Sequence, residues 1–135
     1  MFTNNFEQLD DYIKAHSEPE SELLKELDRQ THLKILRPRM LSGHIQGRVL
    51  SMISQMIRPE RILEIGTYTG YSTICLSEGL ADDGKLITCD VNDEIEDFTR
   101  SFLKRSSRAN QIEYEIQDAR ELLKSQTEKF DLVFI

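Results

Sequence analysis

Residues 61–72, Arg-Ile-Leu-Glu-Ile-Gly-Thr-Tyr-Thr-Gly-Tyr-Ser, constrain the fold of this chain more than any other stretch. An apolar run ends in a turn punctuated by Gly66 and Gly70, and a helical pattern follows. A second apolar run closes on Asp90. Strand, glycine turn, helix and a second strand ending in an acid make a crossover that suits a nucleotide or nucleoside. The glycines let backbone approach a ligand, and the acid can accept from a ribose diol.

The rest of the chain extends this pattern. Four short β-type runs, Arg61–Ile65, Lys85–Asp90, Ile112–Ile116 and Phe130–Ile135, alternate with helical segments at about Tyr71–Gly79, Asp93–Ser106 and Ala119–Ser125. Such alternation predicts parallel strands joined by right-handed crossovers, hence a three-layer α/β sandwich. Ahead of it, residues 6–15 predict a short helix. Ser17 or Glu18 is expected to cap a second helix running to about Leu33, with Pro19 near its first turn. Ile45, Val49, Leu50, Ile53, Met56 and Ile57 predict a third helix over Ser42–Ile57, stopped by Pro59. The expected division is a helical segment over 1–59 packing on a core over 60–135. Phe130–Ile135 is apolar, and a doubly wound sheet normally flanks such a run with further strands. The chain is therefore expected to be the N-terminal part of a larger domain.

A length of 135 residues fits one domain with a modest core. The net charge of −7 argues against nucleic acid or an anionic membrane as partner, since both need a cationic surface. No apolar run approaches the roughly 20 residues of a membrane-spanning helix. Cys75 and Cys89 sit in apolar periodic segments, so two buried, reduced thiols and a cytoplasmic location are expected. His16 and His32 show no metal-ligand spacing with each other or with a cysteine.

The turn Gly66-Thr-Tyr-Thr-Gly70 is neither Gly-x-Gly-x-x-Gly nor a loop ending in Gly-Lys-Ser/Thr, which argues against a pyrophosphate and a triphosphate. A ligand without phosphates, with a nucleoside end and an amino-acid end, suits it better. Its carboxylate would meet backbone N–H groups and the Ser72 hydroxyl at the helix start. Asp90 either binds the ribose or caps the next helix. Glu64, inside the first strand, either touches the ligand or orients the turn through backbone donors. Asp118 can accept from an adenine amine, with the Ala119 N–H on a ring nitrogen, and can cap its helix at the same time. Met40 and Ser42 can flank a ligand as the chain enters the third helix. A structural or exposed role is expected for His44, and simple solvation for Lys104, Arg105 and Arg108.

On Glu64–Ser72, Asp90, Gln117–Ala119 and Phe130–Ile135, the chain resembles the class I S-adenosylmethionine (SAM)-dependent O-methyltransferases. More narrowly, it resembles the cation-dependent group that includes catechol and caffeoyl-CoA O-methyltransferases and their small bacterial relatives. The resemblance runs from about Glu22 to Ile135. It implies a Rossmann-like sheet with strands ordered 3-2-1-4, and SAM as cofactor. Gly66, Tyr68 and Ser72 would line the methionine end, with Glu64 in the same set and Met40 and Ser42 closing over it. Asp90 would hold the ribose, and Asp118 and Ala119 the adenine. The implied reaction is methyl transfer to a hydroxyl of a small, catechol-like acceptor, assisted by a divalent cation such as magnesium. In relatives the first metal-binding acid and a nearby lysine follow the fourth strand, so no residue here is assigned to metal or general-base duty. The resemblance also implies a homodimer. Two other readings stay open: a SAM-binding module without catalysis, and a nicotinamide-linked dehydrogenase whose Asp90 would also bind ribose.

Overall fold

Side chains alternate across a β-strand, and in this chain that alternation sets the layers. The computed structural model describes residues 3–135. In it β1 (Arg61–Ile65), β2 (Lys85–Asp90), β3 (Ile112–Ile116) and β4 (Leu132–Phe134) form a parallel sheet ordered β3-β2-β1-β4. Ile62 and Leu86 point to one face and join Tyr114 in a core with Leu24, Leu27, Leu50, Ile74, Leu76 and Phe102. Those residues come from α2 (Glu22–Lys34), α3 (Gly43–Ile57), α4 (Tyr71–Ser77) and α5 (Glu96–Leu103). Leu63, Ile87 and Cys89 point the other way and meet Leu122 of α6 (Ala119–Ser125). Two helical layers thus sandwich the sheet, with α1 (Thr3–Ala15) leading the chain. The expected architecture and strand order are both present.

Several boundaries differ from expectation for local reasons. Ser21, not Ser17 or Glu18, caps α2: its hydroxyl accepts from the Leu24 N–H at 3.3 Å. Ser17 is already engaged, donating to the Ile13 carbonyl at 2.6 Å as α1 ends. The segment after β2 divides into a 3₁₀ turn, Asp93–Ile95, and then α5. The last strand is limited to Leu132–Phe134, because Asp131 turns its carboxylate to the Glu60 and Arg61 N–H groups at 2.9 and 3.0 Å. Helix α4 stops at Ser77, and Gly79 then lies hard against α3, where an added Cβ would fall 2.2 Å from the Ser54 carbonyl carbon.

That close approach explains how α3 packs. Its buried residues are Gly47, Leu50, Ser51 and Ser54, which face α4. The apolar residues that predict the helix, Val49, Ile53, Met56 and Ile57, are exposed, as is Met52. Arg48, with its side chain 13% exposed, spans to Glu78 beyond α4 with bonds of 3.1 and 2.9 Å, and the Ser51 hydroxyl donates to the same carboxylate. Cys75 and Cys89 are buried, free thiols. Among the described residues no helix is long and apolar enough to cross a membrane.

Candidate functional site

The site lies at the C-terminal ends of the strands, where β1 has β2 on one side and β4 on the other. Ligands bind open α/β sheets at such points, where the strand order reverses. After β1 the backbone of Gly66, Tyr68 and Gly70 is left-handed, with φ of +97°, +50° and +89°. A Cβ on Gly66 would meet nothing within 4 Å, so this glycine answers to backbone conformation and faces open space. The Gly66 and Thr67 N–H groups donate to the Cys89 carbonyl at 2.9 and 3.2 Å, which fixes the turn to the end of β2.

A left-handed tyrosine is costly, by about 1–2 kcal/mol, and Tyr68 is held there from several sides. Its N–H donates to Asp90 Oδ2 at 2.8 Å, and its carbonyl accepts from the Thr99 hydroxyl of α5 at 2.7 Å. Its phenol donates to the carbonyls of Arg37 at 3.1 Å and Leu36 at 3.3 Å, in the loop before α3. Burial pushes the phenol above its ordinary pKa, so it stays a donor.

Asp90 does not cap the following helical turn. That duty falls to Asn92, whose side chain accepts from the Glu94 N–H at 3.0 Å. Asp90 instead accepts from Tyr68 on Oδ2 and from the Asn92 N–H on Oδ1 at 3.0 Å. A carboxylate has about four acceptor sites, so roughly two remain for a diol.

Glu64 stands apart from the contact set expected of it. It is fully buried, and its partners are side-chain hydroxyls rather than backbone donors. The Ser72 hydroxyl lies 2.5 Å from Oε1, and Thr73 and Thr88 donate to Oε2 at 2.5 and 2.7 Å. Thr67, in the glycine turn, lies 2.6 Å from the Thr88 hydroxyl. Glu64 therefore braces α4, β2 and the turn from beneath. Burial drives its pKa upward against the pull of the three hydroxyls, and the Asp90 charge adds to the rise.

The other expected residues line three adjoining cavities. One, of about 190 Å³, is bordered by Met40, Ser42, Gly66, Tyr68, Tyr71 and Ser72. The second, of about 600 Å³, meets it at Met40 and Tyr68 and reaches Asp90, Arg37 and Asn92. The third, of about 410 Å³, runs from Gly66 past Asp90 to Gln117, Asp118 and Ala119. Ser42 makes no cap bond with its hydroxyl, and Met40, in the 3₁₀ turn Pro38–Met40, is exposed. Asp118 caps α6 through the Arg120 N–H at 2.8 Å, and the Arg120 guanidinium grips both its oxygens at 3.0 and 2.8 Å. Those bonds hold its carboxyl at about 2, an ionised acceptor beside the third cavity.

Glu64 is thus the one expected contact that the structure keeps away from the cavities. Thr99, Thr88, Thr67 and Thr73 support the site without a local sequence signal, because their partners are distant in sequence. His44 donates from Nε2 to the Glu18 carbonyl at 2.6 Å, a structural duty. The basic cluster is more engaged than expected: Arg105 pairs with Glu26 of α2 at 2.5 Å, and Arg108 donates to Gln111 at 3.0 Å. Among the described residues no three histidine, cysteine or acidic side chains are grouped to hold a metal ion.

A family model described as O-methyltransferase matches residues 14–135. Caffeoyl-CoA O-methyltransferase of Stellaria longipes is 31% identical over 119 residues, covering 87% of this chain and 49% of its own. Catechol O-methyltransferase of Mycobacterium tuberculosis is 33% identical over 99 residues, covering 73% and 45%. The chain thus spans about half the length of these curated relatives. The O-methyltransferase TomG of Streptomyces achromogenes, solved in complex with SAM, superposes with a TM-score of 0.86 at 26% identity, covering 98% of this chain and 61% of TomG.

Proposed function

The chain belongs to the O-methyltransferase family, and we propose that it forms the cofactor-binding part of a SAM-dependent enzyme that methylates a hydroxyl of a small, catechol-like acceptor. The observation that carries this reading is the bond from the Tyr68 N–H to Asp90, which makes the glycine turn and the ribose-binding acid one rigid unit. The SAM complex of TomG supports it. So does the open space over Gly66, where a Cβ would meet nothing.

In this reading the methionine end lies in the cavity between Gly66, Ser72, Met40 and Ser42, the ribose on Asp90, and the adenine beside Asp118 and Ala119. SAM supplies an electrophilic methyl group on a sulfonium. The protein's part is alignment. Asp90 fixes the sugar, the turn fixes the amino-acid end, and Tyr68 with Met40 walls the point where two cavities meet. Well-oriented groups of this kind are worth roughly 7–11 kcal/mol of barrier. The divalent cation implied by the resemblance finds no ligand cluster among the described residues, and they carry no metal-dependent step.

Titration with S-adenosylhomocysteine tests the reading: saturable heat and a thermal shift are expected. A folded protein that stays silent at millimolar ligand contradicts it. An NAD titration with the opposite result would favour the dehydrogenase.

The same reading includes a second copy of the chain as partner. Val49, Met52 and Met56 on α3 and Phe6, Leu9 and Tyr12 on α1 form exposed apolar faces, which supports a homodimer. Sedimentation of wild type and M52E/M56E tests this. Dimer in the first and monomer in the second is expected, and a wild-type monomer contradicts it. The two free, buried thiols support a reducing, cytoplasmic setting.

A further inference from the structure

Among the described residues, Glu64 is enclosed without a cation. The charged side chain acting on it is Asp90, of like sign, and its other titratable neighbours, Cys75 and Cys89, are pushed by burial towards the neutral thiol. An ionised carboxylate in such a place is expensive. The bonding pattern suits a neutral acid. Oε2 has two donors, Thr73 and Thr88, as the two lone pairs of a carbonyl oxygen can take. Oε1 has one partner, the Ser72 hydroxyl at 2.5 Å, as the hydroxyl of a carboxylic acid would.

We propose that Glu64 is carried as a neutral acid whose proton lies on Oε1 and is donated to Ser72, which makes the Ser72 hydroxyl a donor towards the cleft. Were Glu64 an anion, Ser72 would spend its one proton on Oε1 and present only lone pairs to the cavity. A neutral Glu64 reverses that polarity. Ser72 borders the cavity beside Gly66, so an anionic group there, such as the carboxylate of an amino-acid end, meets a hydrogen-bond donor. Glu64 is then a positioning residue acting through Ser72. The carboxylate consequence rests on the cofactor reading; the protonation does not.

The proton has a thermodynamic signature. The unfolded chain releases it near the ordinary value of 4.5, while burial raises the folded value. Stability on this account falls as pH rises above 4.5, until Glu64 itself ionises.

Infrared spectroscopy of the unliganded protein at neutral pH is the test. A carbonyl band of a protonated carboxylic acid is expected in wild type, lost in E64Q and shifted in S72A. A folded wild type without the band overturns the proposal. A band that S72A leaves unmoved overturns the placement of the proton, and needs no folded E64Q. Wild-type stability should also fall relative to E64Q as pH rises above 4.5, and parallel curves contradict the proposal. With S-adenosylhomocysteine, E64Q should stay near wild-type affinity while E64A weakens by about tenfold. A wild type that shows the band and binds no S-adenosylhomocysteine would remove the cofactor reading and leave Glu64 protonated.

Discussion

The N–H of Tyr68 donates to Asp90 Oδ2 at 2.8 Å, so the acid that ends β2 also holds the left-handed residue of the turn after β1. Asp90 thus carries two loads, one on the backbone and one proposed on the ribose. Asp90→Asn keeps the shape but turns one acceptor into a donor. S-adenosylhomocysteine affinity should fall by about tenfold or more by calorimetry, since a hydrogen bond to a charged group is lost. Unchanged affinity would remove Asp90 from the site.

Gly79 is fixed by the approach of α3, not by conformation. Its added Cβ would lie 2.2 and 2.4 Å from backbone atoms of Ser54 and Gln55, which cannot rotate away. Gly79→Ala should destabilise by about 1–3 kcal/mol in urea unfolding, the cost of overpacking. A change near zero would mean that the two segments separate freely.

Arg48 and Glu78 form a mostly enclosed pair with side chains 13% and 28% exposed. Removing one partner leaves the other with weaker company: the largely exposed Glu18 at 3.3 Å for Arg48, and the Ser51 hydroxyl for Glu78. Arg48→Ala and Glu78→Ala should each cost about 2–3 kcal/mol, below the range for a fully buried pair. The double variant should lose less than their sum, which a thermodynamic cycle reads directly. Strict additivity would show that the pair contributes nothing as a pair.

Asp118 offers a titration. Arg120 holds its carboxyl at about 2, below the ordinary 3.8, so the pairing is present above 3.8 and is lost as pH falls through about 2. In Arg120→Ala the Asp118 carboxyl should rise from about 2 towards 3.8 without reaching it, as followed by NMR, because the backbone N–H of residue 120 still donates to it. An Asp118 still near 2 would assign the shift to the helix terminus instead.

β1, β2 and β3 were legible to the residue, because short apolar runs bounded by Gly, Pro and acids leave little freedom in register. The glycine turn and Asp90 were legible too, since backbone conformation and strand-end position are local properties. What the pattern hides is non-local. The Glu64 partners are hydroxyls on α4 and β2, and no spacing rule pairs Glu64 with Thr88. The pattern points to Ser17 or Glu18 as the cap of α2, but the last turn of α1 takes the Ser17 hydroxyl, and Ser21 caps the helix instead. The apolar stripe of α3 identified a helix correctly but not its buried face, which is made of Gly47, Leu50, Ser51 and Ser54. Likewise, the phenol of Tyr68 on the Arg37 carbonyl joins segments that only the folded chain brings together.

A crystal structure of the protein with S-adenosylhomocysteine tests the central claim most directly. The account predicts both ribose hydroxyls on the Asp90 carboxylate, the amino-acid end against Gly66 and Ser72, and the adenine beside Ala119. Electron density for the ligand away from the β1–β2 edge, or a ribose that leaves Asp90 untouched, would contradict it.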